Sequence, residues 1–245
     1  MAFFAQLTAQ TMPLQIKSAN NLQKGIIYNQ EKLLNFRLHN QGFAVGYTVG
    51  KIKTYQKTDF FHVELGWLRH IREFRQSTLL GSSAFSGRSY VLGKQNNFLP
   101  LRLGWGRKRY YSEKAVRKGV TLGMNYEMGF IAGLLKPYYL ELRFQDQISK
   151  DEKYTPANRN RFLDNSQIKG ASSFSTGLSE IKIIPGVHGR VALHLDWGAH
   201  DEYTRAMDIG IAVDVFPKRI PLMIVEDNPP YFINVFANLQ LGKRN

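Results

Sequence analysis

VHGRVALHLDW, Val187–Trp197, and MDIGIAVDVF, Met207–Phe216, decide the fold. In the first, Val187, Val191, Leu193, Leu195 and Trp197 share one parity, and His188, Arg190, Ala192, His194 and Asp196 share the other. A period of two puts alternate side chains on opposite faces of a β-strand, so one face is apolar and the other charged. The second stretch repeats the pattern, with Met207, Ile209, Ile211, Val213 and Val215 against Asp208, Gly210, Ala212, Asp214 and Phe216.

Working outward, the same alternation recurs along the chain. At the C-terminal end Tyr231, Ile233, Val235, Ala237, Leu239 and Leu241 oppose Asn234, Asn238, Gln240 and Gly242. Upstream, Val120, Leu122, Met124, Tyr126, Met128 and Phe130 oppose Thr121, Gly123, Asn125, Glu127 and Gly129, and Leu99, Leu101, Leu103 and Trp105 oppose Arg102, Gly104 and Gly106. Phe61, Val63, Leu65 and Trp67 face away from His62, Glu64 and Gly66. Phe43, Val45, Tyr47 and Val49 face away from Ala44, Gly46, Thr48 and Gly50, and Leu34, Phe36 and Leu38 from Asn35, Arg37 and His39. Segments of about 9 to 11 tilted residues cross a bilayer as strands. The connections alternate short and long, the longest running from about Gly133 to Pro185. This predicts an all-β, up-and-down antiparallel transmembrane β-barrel of about eight strands, with ten as the alternative.

Composition narrows the classes. The 245 residues contain no cysteine, so there is no disulfide framework or thiolate metal site, and no apolar run reaches the length of a transmembrane helix. MAFFAQLTA, Met1 to Ala9, reads as the remnant of a signal peptide, with cleavage near Ala9 or Gln10 and a single barrel domain over 10–245. It lacks a basic leading segment, and an ordinary apolar terminus is the alternative. A net charge of +14 raises nucleic acid as a ligand. The basic residues do not gather on one helix or aromatic platform, so nucleic acid is not expected.

A soluble lipocalin-like barrel also alternates, with its apolar face inward. Two features favour lipid outside. The charged set is mixed with glycine and alanine, as a narrow lumen requires, and aromatics of the apolar set gather at strand ends. Phe43, Trp67, Phe130 and Tyr231 are expected at the external rim and Phe61, Trp105, Trp197 and Tyr203 at the other, as interfacial girdles. An eight-stranded barrel is filled by side chains, so the lumen set Arg37, His62, Glu64, Arg102, Glu127, Arg190, His194, Asp196, Asp208 and Asp214 is expected to neutralise itself. Parity across the turn Ser112 to Lys118 permits Arg102 to meet Glu127 or Asn125, and charge favours Glu127.

Chemistry is sparse. His39, His188 and Asp214 are expected near the external mouth, where a histidine with a carboxylate can act as a general base. No serine stands with them at a recognisable spacing and the histidines show no metal-ligand pattern, so no catalytic residue, metal or cofactor is assigned; a small enzyme or ligand-binding barrel acting at its mouth is the alternative. GSSAFSG, Gly81 to Gly87, lacks the Lys-Ser/Thr ending of a phosphate loop and reads as an external loop. Lys51, Lys53, Lys57, Arg107, Lys108, Arg109, Lys114, Arg117 and Lys118, with Lys243 and Arg244, gather near the short turns. Outer-membrane lipid is the expected surroundings, and anionic headgroups or an acidic envelope-protein partner are natural contacts for that rim.

LLKPYYLE (Leu134–Glu141), EIKIIPG (Glu180–Gly186), Asp196-Trp-Gly198 followed by Asp201-Glu-Tyr203, DVFPKRIP (Asp214–Pro221) and NLQLGKR (Asn238–Arg244) give the chain a family likeness. From Tyr28 to Lys243 it resembles the uncharacterised outer-membrane β-barrel proteins of the Bacteroidetes type. The resemblance implies a bacterial outer-membrane barrel with a structural or interaction role and no catalytic residues to carry over. The C-terminus departs from the terminal aromatic of proteobacterial barrels.

Overall fold

A computed structural model describes residues 28–76, 88–112, 119–143, 149–198, 202–225 and 227–245. The signal-peptide expectation at the N-terminus, the glycine-rich stretch Gly81 to Gly87, and Lys114, Arg117 and Lys118 lie outside the described residues.

Eight strands close into one antiparallel barrel: β1 (Gln30–His39), β2 (Gly42–Thr54), β3 (Lys57–Leu68), β4 (Asn96–Tyr110), β5 (Thr121–Pro137), β6 (Lys182–Asp196), β7 (Tyr203–Val215) and β8 (Tyr231–Arg244). Neighbours in sequence pair in space, and β1 closes on β8. The expected eight strands are met, without the additional pair. Each strand alternates exposed and buried residues over most of its length, and the buried parity is the one that carries the charges.

The register fixes the shape. From Gln30, successive cross-strand partners are Lys51, Asp59, Arg107, Tyr126, Val191, Ile211 and Val235, whose carbonyl accepts the Asn40 N–H at 3.3 Å. One circuit therefore returns to the first strand ten residues further along, from 30 to 40. Such a stagger tilts the strands against the barrel axis and makes each hydrogen-bonded row climb the wall.

Strands β4 and β5 run longer than expected, to Tyr110 and Pro137, with Tyr110 opposite Gly123. Their register places Arg102 opposite Ile131, and Glu127 opposite Gly106. The expected Arg102–Glu127 pair across the hairpin is thus wrong, because the turn is centred further along the chain than Ser112 to Lys118 suggested.

The connection from Gly133 to Pro185 is largely structured. Strands Tyr139–Arg143, Ser149–Lys153 and Ile168–Ala171 form a separate antiparallel sheet with the first in the middle. Leu140, Leu142, Phe162 and Ile168 are buried beneath it with Tyr90, so this cap has its own apolar core at the barrel end where β5 finishes and β6 begins.

Candidate functional site

The lumen is built from the inward parity of every strand. All ten expected charged residues are buried there, together with His188. Toward the cap they form one linked cluster. Glu64 receives Arg37 at 2.9 Å and Arg102 at 2.8 Å. Arg102 also grips both oxygens of Asp214, at 3.2 and 2.6 Å, and His188 Nδ1 lies 2.6 Å from that carboxylate. Glu127 sits between Arg190 at 2.5 Å and His62 Nδ1 at 3.2 Å. Arg37 lies over the Phe236 ring, 4.7 Å from its centre. Three guanidinia thus face three carboxylates with two histidines between them, which is how buried charge is made tolerable.

Toward the strand ends opposite the cap a second cluster continues the network. His194 Nδ1 meets Asp208 at 2.6 Å, and Asn125, Asn238 and Gln240 donate to that carboxylate at 3.1, 3.3 and 2.8 Å. Asp196 accepts from Arg244 at 2.7 Å and from the Tyr110 hydroxyl at 3.0 Å, and Lys108 reaches Glu31 at 2.8 Å. Lys108 and Arg244 are buried, which corrects their place in the expected basic rim: both extend the inward parity of their strands. Glu31 and Tyr110 belong with them. The sequence signal was simply that parity, carried past Trp105 to Tyr110 and back from Asn35 to Glu31.

The same parity changes character at the cap end. Phe98, Phe216 and Phe232 point inward and touch one another, with ring centres 5.7, 5.4 and 6.2 Å apart. Leu68, Ile131, Leu135, Ile220, Leu222 and Met223 complete an apolar plug over the charged clusters. Asn228 holds part of its covering loop, accepting from Leu222 and Met223 N–H at 2.8 and 3.0 Å. The mouth expected to present His188 and Asp214 is therefore closed. Both side chains are fully buried, and Asp214 is committed to Arg102, so the pair meets no substrate from outside. His39 is only half-buried and receives the Gln41 N–H at 3.3 Å. Among the described residues no group of histidines and carboxylates is arranged to hold a metal.

Outside the barrel, Phe43, Trp105, Phe130, Trp197, Tyr203 and Tyr231 are exposed, and Phe61 and Trp67 half-buried. Two clean rims do not form along β3 to β5. Trp105 contacts Phe61 at 5.4 Å and Phe130 at 6.3 Å, so aromatics assigned to opposite rims join in one patch, because the tilted register brings diagonal neighbours together. Trp67 instead meets Phe174 of the cap connection at 5.6 Å.

Within the cap, Lys94 and Glu73 form a buried pair at 2.7 Å. Burial holds the Lys94 ammonium below the ordinary lysine range, with Glu73 opposing that shift. Burial likewise raises the Tyr138 phenol, whose oxygen accepts the Val91 N–H at 3.2 Å.

No protein-family model and no curated protein matches the sequence. Among solved structures, the chain is similar to the N-terminal β-barrel domain of Pseudomonas aeruginosa OprF, at 6 % identity and a TM-score of 0.37, covering 87 % of this chain and 98 % of that one. Neisserial surface protein A (NspA) is matched at 9 % identity and a TM-score of 0.33, covering 88 % and 92 %. Ail, the attachment invasion locus protein of Yersinia pestis, solved with the heparin analogue sucrose octasulfate, is matched at 6 % identity and a TM-score of 0.33, covering 88 % and 95 %. These likenesses concern the fold and assign no family or taxon.

Proposed function

We propose that the chain is an integral barrel of a bacterial outer membrane, whose lumen is a sealed structural core and whose cap is the surface offered to partners. One observation carries this reading: the barrel is inverted relative to a soluble protein. Leu38, Met128, Leu193 and Val235 stand exposed on the wall while Arg37, Arg102, Asp208 and Asp214 are buried within it. Exposing a continuous apolar wall to water is unfavourable, and a bilayer is the solvent that reverses the sign. The phenylalanine plug and the paired charges favour a structural or interaction role over solute passage. An envelope-protein partner would meet the cap end, where Ile71 and Phe74 are each 73 % exposed.

The test is biochemical. The protein should require detergent for extraction, migrate differently on gels before and after boiling, and show no steady conductance in planar bilayers. Recovery as a detergent-free soluble monomer overturns the membrane reading, and a stable open-channel current overturns the sealed lumen. Native co-purification should yield a partner that is lost with Ile71→Asp and Phe74→Asp.

A further inference from the structure

We propose that the barrel wall carries a docking groove for one anionic phospholipid, drawn from the leaflet at the end opposite the cap; the site rests on the membrane-barrel reading above. A groove of about 830 Å³ crosses the outer face from β3 to β7, and its lining includes Arg107, Tyr126, Gly189 and Ile211. Gly189 makes the hollow. It occupies an outward position of β6, and a Cβ built there meets nothing nearer than 3.9 Å, whereas Cβ atoms at Gly104, Gly129 and Gly210 collide with neighbours at 2.2, 2.0 and 2.1 Å. Crowding explains those glycines and leaves Gly189 unexplained, except as a recess between Met128 and Val213, its cross-strand neighbours.

The direction of the groove supplies the ligand. It follows the climbing row Asp59, Arg107, Tyr126, Val191, Ile211, and four strand spacings of about 4.8 Å give about 19 Å, the reach of one extended fatty acyl chain. Its upper end is aliphatic. Its lower end, near the β2–β3 turn, is basic: Lys57 and Arg109 stand opposite each other beside Arg107. Asp59 accepts its hydrogen bonds from Arg107, at 2.6 and 3.3 Å, and also feels the charges of Lys53 and Lys57, while Arg109 rests on the Tyr111 ring at 5.4 Å, so one carboxylate faces four cations and the end of the groove is net positive. An apolar track ending in a cluster with more cations than carboxylates fits an acyl chain and a net-negative phosphate headgroup. A zwitterionic headgroup adds an ammonium that the same cations repel.

Trp105 borders the groove and is one of three tryptophans. Trp67→Phe with Trp197→Phe leaves it as the only reporter. The barrel is reconstituted in phosphatidylcholine vesicles containing either acyl-brominated phosphatidylglycerol or acyl-brominated phosphatidylcholine at the same mole fraction. The anionic lipid should quench Trp105 with a preference of about fivefold for each engaged cation. Lys57→Gln with Arg109→Gln should remove the preference, and Gly189→Leu should weaken quenching by both lipids. A barrel with Trp67 as sole reporter, at the other end of the wall, should show no preference. Equal quenching of Trp105 by the two lipids, or an equal preference at Trp67, overturns the groove. Absence of quenching by either lipid means that the wall is not in the bilayer, and overturns the membrane reading instead.

Discussion

Arg102 faces Glu64 directly across the β3–β4 pair and reaches Asp214 across the lumen, so its removal leaves two buried carboxylates under-compensated, Glu64 with Arg37 and Asp214 with His188. Arg102→Met should cost about 3 to 5 kcal/mol in urea unfolding of the detergent-folded protein. A double-mutant cycle with Asp214→Asn should give coupling of about 0.5 to 3 kcal/mol, larger than the cycle with Glu127→Gln. Equal coupling in both cycles would count against the Arg102–Asp214 contact. Lys94 makes a different prediction in the cap. Its ammonium is easier to deprotonate folded than unfolded, so the folded cap binds fewer protons and gains stability as pH rises toward the unfolded lysine value of about 10.4. Protease nicking of the cap should slow over that rise, and Lys94→Met should flatten the response. Sequence parity was enough to place Arg102 inside. Its partner Asp214 was not legible, since it lies 112 residues away and is reached across the lumen rather than along a hairpin.

Strands β4 and β5 show what an element can and cannot announce. Alternation marked both, yet Arg107, Lys108 and Arg109 read as a basic rim near the turn because three basic residues in a row hide the alternation. The outward pair Arg107 and Arg109 stays at the lower edge of the wall while Lys108 turns in to Glu31. Gly104 leaves room for Glu127, since a Cβ there would lie 2.2 Å from its carboxylate oxygen, and the opposed Gly129 lets the two backbones approach, since a Cβ there would lie 2.0 Å from the Leu103 carbonyl oxygen. Glu127 is held on both sides, so Gly104→Val should destabilise the barrel by about 1 to 3 kcal/mol, read as a lower boiling temperature for the gel shift. The cap behaves as a separate element. Replacing residues 139–180 by a short linker should leave the gel shift intact, because the phenylalanine plug draws on β4, β8 and the 216–223 segment instead. The cap sheet was not legible beforehand: its strands are of four or five residues, too short for a parity pattern to stand out from a loop.

At the scale of the whole molecule, the return of the hydrogen-bonded row after ten residues constrains which changes of chain length the barrel can survive. An even offset lets each inward residue meet inward residues all the way round. Deleting one residue inside the band, for instance Ile209, would turn one portion of β7 over, sending either Asp208 or Asp214 toward lipid while its neighbours remain correctly placed. Removing two adjacent residues preserves the faces and changes only the tilt. Single-residue gaps should therefore be lethal to assembly throughout the wall and tolerated near Lys53, where the β2–β3 pairing already carries an irregular step between Ile52 and Thr54. Length variation in this chain is thus expected to be counted in twos within the wall and in ones only at its edges.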